Sequence, residues 1–306
     1  MKRITLIGGN GFIGSHLATQ LAARGDLVTV PTRHRDAGLA RSNPSRQIQV
    51  VEADVHDPAQ LAELVASHDV VINLVGILNG SEAEFEHAHV TLTEKIVGAC
   101  EASGVKRYLH MSALGADVNG PSRYQRSKGR AENVVRRSRL AATIYRPSVV
   151  FGQGDSFLTL FARITRLAPL LPLGAAAAQF QPIWVEDVVR AFVAGIDRPE
   201  LAGMTLNLVG PGMYTLAEIV RYTGSLNGRT THVLPLPAWA ASAQAAMMML
   251  LPDPPLTQDN LDSMKTPNID PAGFPSILGW HPAAMEDIAP TYLGKNAKAG
   301  DGRRAA

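Results

Sequence analysis

Residues 7–14 read IGGNGFIG, with Gly8, Gly11 and Gly14 three apart. The run RITLIG (3–8) leads into these glycines, and an apolar-periodic segment with Phe12, Ile13, Leu17 and Leu21 leads out. Glycine suits neither element, because it loses the most backbone freedom on folding. Its use here is steric. Without a Cβ it allows a tight turn and lets backbone N–H groups approach a ligand at a helix N-terminus, where the peptide dipoles favour negative charge. Strand, glycine turn and helix in this order make the context of a dinucleotide fingerprint, with the pyrophosphate over the turn. Gly8, Asn10, Gly11, Phe12, Ile13 and Gly14 are the expected contacts.

Outward from this turn, two patterns alternate. β-rich runs stand at 3–8, 27–32, 48–53, 70–77, 107–112 and 142–150, and helical patterns at 12–24, 58–66, 87–103 and 123–138. Such alternation specifies βαβ units and a parallel sheet. Several strands are almost wholly apolar, as they are when helices cover both faces. Right-handed crossovers then give an α/β, doubly wound parallel sheet of Rossmann type. After Val150 the rhythm changes. Prolines and small residues cluster at 167–182, followed by a helix over 185–197, a strand over 204–210, a helix over 215–224, a strand near 231–234, an apolar helix over 238–251 and a last helix over 282–293. We expect a dinucleotide-binding domain over 1–150, a smaller, partly interleaved substrate or cap lobe over 151–293, and a disordered tail over 294–306.

The end of the second strand bears on which nucleotide binds. An NAD-preferring site places an acid there for the ribose 2′-hydroxyl. Here the chain reads Val30-Pro31-Thr32-Arg33-His34-Arg35, with no acid before Asp36. An arginine pairs with a 2′-phosphate that an acid would repel. The expected cofactor is therefore NADP(H), with Arg33 as main phosphate ligand and Arg35 in support. Asp54 and Val55, after the third strand, can meet the adenine; Asp54 serves equally well as a loop or capping residue. Leu74, Val75 and Gly76, at the end of the fourth strand, lie on the expected cofactor path.

The fifth strand leads into HMSALGADVNGPSRYQRSKGRAE (110–132). Tyr124 and Lys128 are i and i+4 on one face of a helix that starts near Pro121 and Ser122. A free phenol has a pKa near 10, and a fixed ammonium beside it favours the phenolate. Such a tyrosine can exchange a proton with a substrate oxygen while hydride moves at a nicotinamide. Ser112 is the first candidate to donate a hydrogen bond to that oxygen, and Ser122 the second.

The remaining features bound the function. The chain has 306 residues, 29 basic and 27 acidic, for a net charge of +2, and no basic run in its body, so nucleic acid is not an expected partner. A single cysteine, Cys100, excludes an internal disulfide and suits a reducing compartment, hence a cytoplasmic placement. Apolar alternation begins at Ile4, so no secretory leader is expected. The stretch AWAASAQAAMMMLL (238–251) is too short to span a bilayer and is bracketed by Pro237 and Pro252. It reads as a buried or groove-lining helix; the alternative is a helix lying on a membrane, although the run lacks the basic polar face that such helices usually carry. His87 and His89 have no third ligand at a recognisable spacing, and no metal is expected.

Together, GGNGFIG, ADV (53–55), Y-x-x-x-K, YRPSVVFG (145–152) and PIWVEDVVRAF (182–192) resemble the short-chain dehydrogenase/reductase superfamily in its extended or atypical branch, which includes the NAD-dependent epimerases and dehydratases. Within it, VINLVGIL, SALGAD, SRYQRSK and LPDPPLTQDNLDSM resemble the family of the NADPH-binding accessory subunit of respiratory complex I and its bacterial relatives. The resemblance implies cofactor contacts from the glycine turn, Arg33, Asp54, Val55, Tyr124 and Lys128, and puts Pro147 and Val150 near the nicotinamide. It leaves three expectations. The first is an NADP(H)-dependent oxidoreductase acting on a carbonyl or alcohol of an apolar molecule, such as a quinone or isoprenoid precursor, with Tyr124 as acid/base, Lys128 orienting the ribose and Ser112 stabilising the oxygen. The second is a non-catalytic NADPH-binding protein docked on a respiratory membrane complex, peripheral at the inner membrane face. The third is sugar-nucleotide epimerase chemistry, disfavoured because Ser112 stands alone and only 12 positions before Tyr124.

Overall fold

A computed structural model of the chain describes residues 1–33, 45–252 and 254–294. Arg35 and the tail from residue 295 onward lie outside these residues. Two compact units are present: Met1–Pro147 with Val188–Leu208, and Ser148–Asp187 with the residues from Val209 onward.

The first unit is built on a sheet of seven parallel strands. Its strands are β1 (Arg3–Ile7), β2 (Leu27–Thr32), β3 (Ile48–Glu52), β4 (Val70–Asn73), β5 (Arg107–Met111), β6 (Ala141–Pro147) and the edge strand Thr205–Leu208. The order runs from the edge strand through β6, β5, β4, β1 and β2 to β3. This is the doubly wound arrangement, and its order reverses between β1 and β4, where ligands bind at the carboxyl ends of the strands. One core of this unit joins Ile7, Val71, Ile96, Cys100, Tyr108 and Ile144, all buried. Burial pushes the Cys100 thiol up to about 12, so it packs as a small apolar residue.

Capping fixes the helix starts. Asp57 accepts from the N–H groups of Ala59 and Gln60 at the head of Pro58–Val65. Ser122 and Gln125 form a capping box at the head of Arg123–Arg137, and Arg136 and Arg137 meet the negative end of its dipole.

Two strands end earlier than the apolar runs predict. β4 stops at Asn73 because the next backbone donors are diverted: the Asn73 side chain accepts from the Val75 N–H at 3.0 Å, and His89 accepts from the Ile77 N–H at 3.0 Å. The run at 142–150 splits at Pro147-Ser148, and Val150–Phe151 instead pairs in parallel with Ile183–Trp184 in the second unit. The helix predicted from residue 87 begins sooner. It comprises Glu82–Phe85, a π-helical turn Glu86–Thr91 and Leu92–Ser103.

The second unit holds three two-stranded pieces and five α-helices among its described residues. Its core includes Phe151, Leu158, Phe161, Ile219, Val220 and Ala289. The helix Phe157–Leu167 is one that sequence reading does not predict, and the strand Leu170–Leu173 falls within the proline-rich cluster. The apolar helix is Ala238–Met248. It turns only Ala241 and Ala245 fully inward and is exposed along most of its length, so the expectation of a buried helix does not hold. Among the described residues, no helix is long and apolar enough to cross a membrane.

Candidate functional site

The glycine turn is built by close backbone approach. Gly8 sits at a φ of +84°, and a Cβ there would lie 3.1 Å from the Leu74 carbonyl carbon and from the Val75 nitrogen. A Cβ on Gly14 would lie 2.6 Å from the Cα of Gly9. The turn thus rests directly on the segment after β4, and the helix Phe12–Ala23 rests on the turn. That helix starts at Gly11 with no side-chain cap and no acid in its first turn. Its first N–H groups have no partner within the helix, and its dipole is uncompensated. This donor set fits a dinucleotide diphosphate. Phe12 packs edge-on against His16 at 5.6 Å and is partly exposed, as are Asn10 and Ile13.

The helix Arg123–Arg137 places Tyr124, Lys128 and Glu132 at i, i+4 and i+8, one above another. Tyr124 is half-buried, with its ring edge-on to His89 at 5.7 Å and to Phe85 at 6.2 Å. Lys128 is 3% exposed. Its Nζ donates to the Met111 carbonyl at 3.2 Å and the Val75 carbonyl at 3.4 Å, so it ties the ends of β4 and β5 to the helix. Gly76 makes room for it, since a Cβ there would stand 3.1 Å from the ammonium. Burial lowers the Lys128 pKa to about 8, against the upward pull of Glu132. Sequence reading expects this ammonium to lower the Tyr124 pKa. In the structure burial dominates, and the phenol moves up to about 12.

Ser112 is 3% exposed, and its hydroxyl donates to Glu132 Oε1 at 2.5 Å. Glu132 is fully buried; it also receives two bonds from Arg146, both at 2.6 Å, and one from Arg136 at 2.7 Å. The Ser112 proton therefore faces a carboxylate inside the protein. Ser122, the second candidate, is used in the capping box with Gln125.

His89 has a fixed tautomer. Its Nε2 accepts from the Ile77 N–H, so Nδ1 carries the proton and donates to Ser127 Oγ at 2.8 Å, and Ser127 donates to the Tyr124 carbonyl. Burial, with Lys128 and His110 nearby, lowers its pKa to about 2 and keeps it neutral. The π-helical turn places His89 here, and such turns recur at functional sites. His87 points elsewhere and stacks on His56 at 3.8 Å. Among the described residues, no group of three or more His, Cys, Asp or Glu side chains is arranged to hold a metal.

Arg33 is exposed at the end of β2, and its charge reaches His56. The His56 pKa is lowered first by burial, then by His87, with Lys95 and Arg33 adding to this. Asp54 spends one carboxylate oxygen on the His56 N–H at 2.9 Å, a loop role. Val55 is partly buried beside it. Pro147 ends β6, and its carbonyl accepts from the Leu114 N–H at 2.9 Å. Val150 lies in the second unit, opposite Ile183. The structure thus brings together the glycine turn, Leu74–Gly76 and Lys128. Sequence reading missed Glu132, Arg146 and His89. The i+8 spacing of Glu132 from Tyr124 was a usable signal; nothing local marks Arg146 as its partner.

A family profile described as NAD(P)H-binding matches residues 8–156. The mitochondrial NADH dehydrogenase (ubiquinone) 1 alpha subcomplex subunit 9 of Mus musculus is 31% identical over 291 residues, covering 92% of this chain and 77% of the mouse protein. A ceramide reductase of Caulobacter vibrioides is 27% identical over 241 residues, covering 76% of this chain and 73% of that protein. Among solved structures, a nucleoside-diphosphate-sugar epimerase from Staphylococcus aureus superposes with a TM-score of 0.72 at 18% identity, over 92% of this chain and 97% of that one, a likeness of fold alone. With its NAD(P)-binding Rossmann domain, the chain belongs to the family of NADH dehydrogenase (ubiquinone) 1 alpha subcomplex subunit 9.

Proposed function

We propose that this chain is an NADP(H)-binding accessory protein of a respiratory-type membrane complex, and that it retains the dinucleotide as a structural ligand without turning it over. One observation carries this reading: the Ser112 hydroxyl is committed to Glu132 at 2.5 Å, and burial raises the Tyr124 phenol to about 12. A site that exchanges a proton with a substrate oxygen needs a well-placed acid of matched pKa and a second donor on that oxygen. Here the Ser112 proton is held by Glu132 and the phenol is a weak acid. The dinucleotide, when bound, supplies hydride chemistry. The chain's own residues supply retention: the N–H groups of the turn at 8–14 for the diphosphate, Lys128 for the nicotinamide ribose, Asp54 and Val55 for the adenine, and Arg33 for a 2′-phosphate. Likeness to a mitochondrial respiratory-complex subunit over most of the chain supports the membrane-complex partner.

Titration of the purified chain with NADPH and NADH tests the cofactor. NADPH should bind more tightly, and Arg33→Ala should weaken NADPH by about tenfold to a hundredfold while leaving NADH unchanged. Equal affinities, unmoved by Arg33→Ala, would remove the 2′-phosphate assignment.

A second reading is a reductase of a carbonyl on an apolar molecule, quinone- or isoprenoid-related or a lipid. The half-exposure of Tyr124 favours it, as does likeness to a protein named a ceramide reductase. In that case Tyr124 is the proton donor and Lys128 orients the ribose. Loss of reduced-nicotinamide absorbance on adding a long-chain ketone or a quinone, abolished in Tyr124→Phe, would favour this reading over retention.

A further inference from the structure

We propose that the second unit carries a docking face for an anionic phospholipid surface, formed by the helix Ala238–Met248, the turn after it, the paired strands His232–Pro235 and Leu170–Leu173, and the end of the helix Phe157–Leu167. This sharpens the membrane placement in the reading above and shares no residue with the nucleotide site, so either can fail alone.

The face is apolar where a water-facing surface would be polar. Ala241 and Ala245 pack inward, with Leu261 in the same small core. The outward side of the helix carries Trp239, Ala243 and Met247, continued by Leu250 in the turn, at i, i+4, i+8 and i+11. Trp239 is 77% exposed and Leu250 is 87% exposed. The helix contains no charged side chain, whereas a helix lying against water ordinarily carries its charges on this side. The neighbouring ribbon extends the face. Leu170 stands opposite His232 and Pro172 opposite Leu234, and all four are exposed. The Gln244 side chain donates to the Pro172 carbonyl and ties helix to ribbon. Leu167, also 87% exposed, ends the helix three residues before Leu170. Contiguous exposed apolar surface of this kind marks an interaction site.

Charge selects the occupant. Between Ser156 and Val185, and again between Ile219 and Pro252, the chain carries no aspartate or glutamate. The exposed charges within these segments are cationic: Arg163, one turn before Leu167 on the same helix face, Arg166 beside it, Arg221, and Arg229 just ahead of the ribbon. Two acids stand on Gln258–Ser263, the helix packed against Ala238–Met248. Asp259 is buried, and Asp262 is paired with Lys265 at 2.6 Å. An apolar face with a tryptophan, whose own elements carry arginines as their exposed charges, matches the headgroup region of an anionic bilayer, where aromatic rings sit at the interface and cations meet lipid phosphates.

Flotation of the purified full chain with vesicles of phosphatidylcholine alone, and of phosphatidylcholine mixed with phosphatidylglycerol, tests this. The chain should float with the anionic mixture, less with phosphatidylcholine, and be released by salt. Trp239 emission should shift to the blue on binding, and the shift should vanish in Trp239→Phe. Arg163→Gln and Arg229→Gln should each weaken binding by about fivefold. Leu250→Glu should weaken it by at least about tenfold. All these variants should keep the cooperative thermal melt of the unaltered chain, which shows that they fold. Failure to float with either vesicle would overturn the proposal, as would flotation unchanged by Leu250→Glu. A concentration-dependent dimer that Leu250→Glu dissociates, with no vesicle binding, would overturn it in favour of a second copy of the chain.

Discussion

Two helices of this protein invert the usual rule in opposite senses. Arg123–Arg137 turns two of its seven charged side chains inward, burying Lys128 and Glu132 almost completely, while its arginines stay at or near the surface. Ala238–Met248 turns alanines inward and leaves Trp239 and Met247 in the open. Each inversion costs something when the chain stands alone. A buried ammonium and carboxylate lose hydration that their partners only partly return, and exposed apolar area forgoes burial. On the readings proposed above, each has a partner: a dinucleotide near the first helix, and a lipid surface against the second.

Removing Glu132 should have the largest effect. Glu132→Ala strands Arg146 and takes the counter-charge from Lys128, and should cost about 3–5 kcal/mol in denaturant unfolding, as breaking one side of a buried pair does. A loss below about 1 kcal/mol would show the pair to be peripheral. Lys128→Met comes next and should separate function from stability. The ordinary lysine pKa of 10.5 falls to about 8 in the folded chain, so the folded state binds fewer protons between these values. The buried ammonium therefore costs stability in full below about pH 8, and the cost fades as pH rises towards 10.5. Lys128→Met should be more stable than wild type at neutral pH and lose this rise, while NADPH affinity falls by about tenfold or more. Thermal melts across pH, with and without NADPH, check both. Tyr124→Phe should change stability by less than about 1 kcal/mol and leave NADPH affinity unaltered. The smallest effect is expected at the other helix, where Trp239→Ala and Leu250→Glu should alter unfolding free energy by no more than about 0.5 kcal/mol. Larger losses there would mean that the exposed stripe packs against the protein after all.

The alternation of β-rich and helical segments, read with the glycine turn, was enough to predict the doubly wound sheet. The Y-x-x-x-K spacing predicts that Tyr124 and Lys128 share one helix face; that Lys128 reaches the carbonyls of Val75 and Met111 was not legible in it. The sequence did not show where hydrogen bonds would be diverted. Asn73 closing β4, the π-helical turn that aims His89 at Ile77, and the capture of Ser112 by Glu132 all depend on side chains distant in sequence. The second unit was harder to read, because its strands are two to four residues long. In the Ala238–Met248 helix, an apolar run looks the same in sequence whether it is buried or awaits a partner.

The most direct test of the account is the melting curve of the purified chain with saturating NADPH or NADH. NADPH at about a hundred times its dissociation constant should add about 2.7 kcal/mol of stability and raise the melting temperature by several degrees. NADH should do less, and Arg33→Ala should erase the difference. A melting temperature unmoved by either dinucleotide would contradict the account at its base.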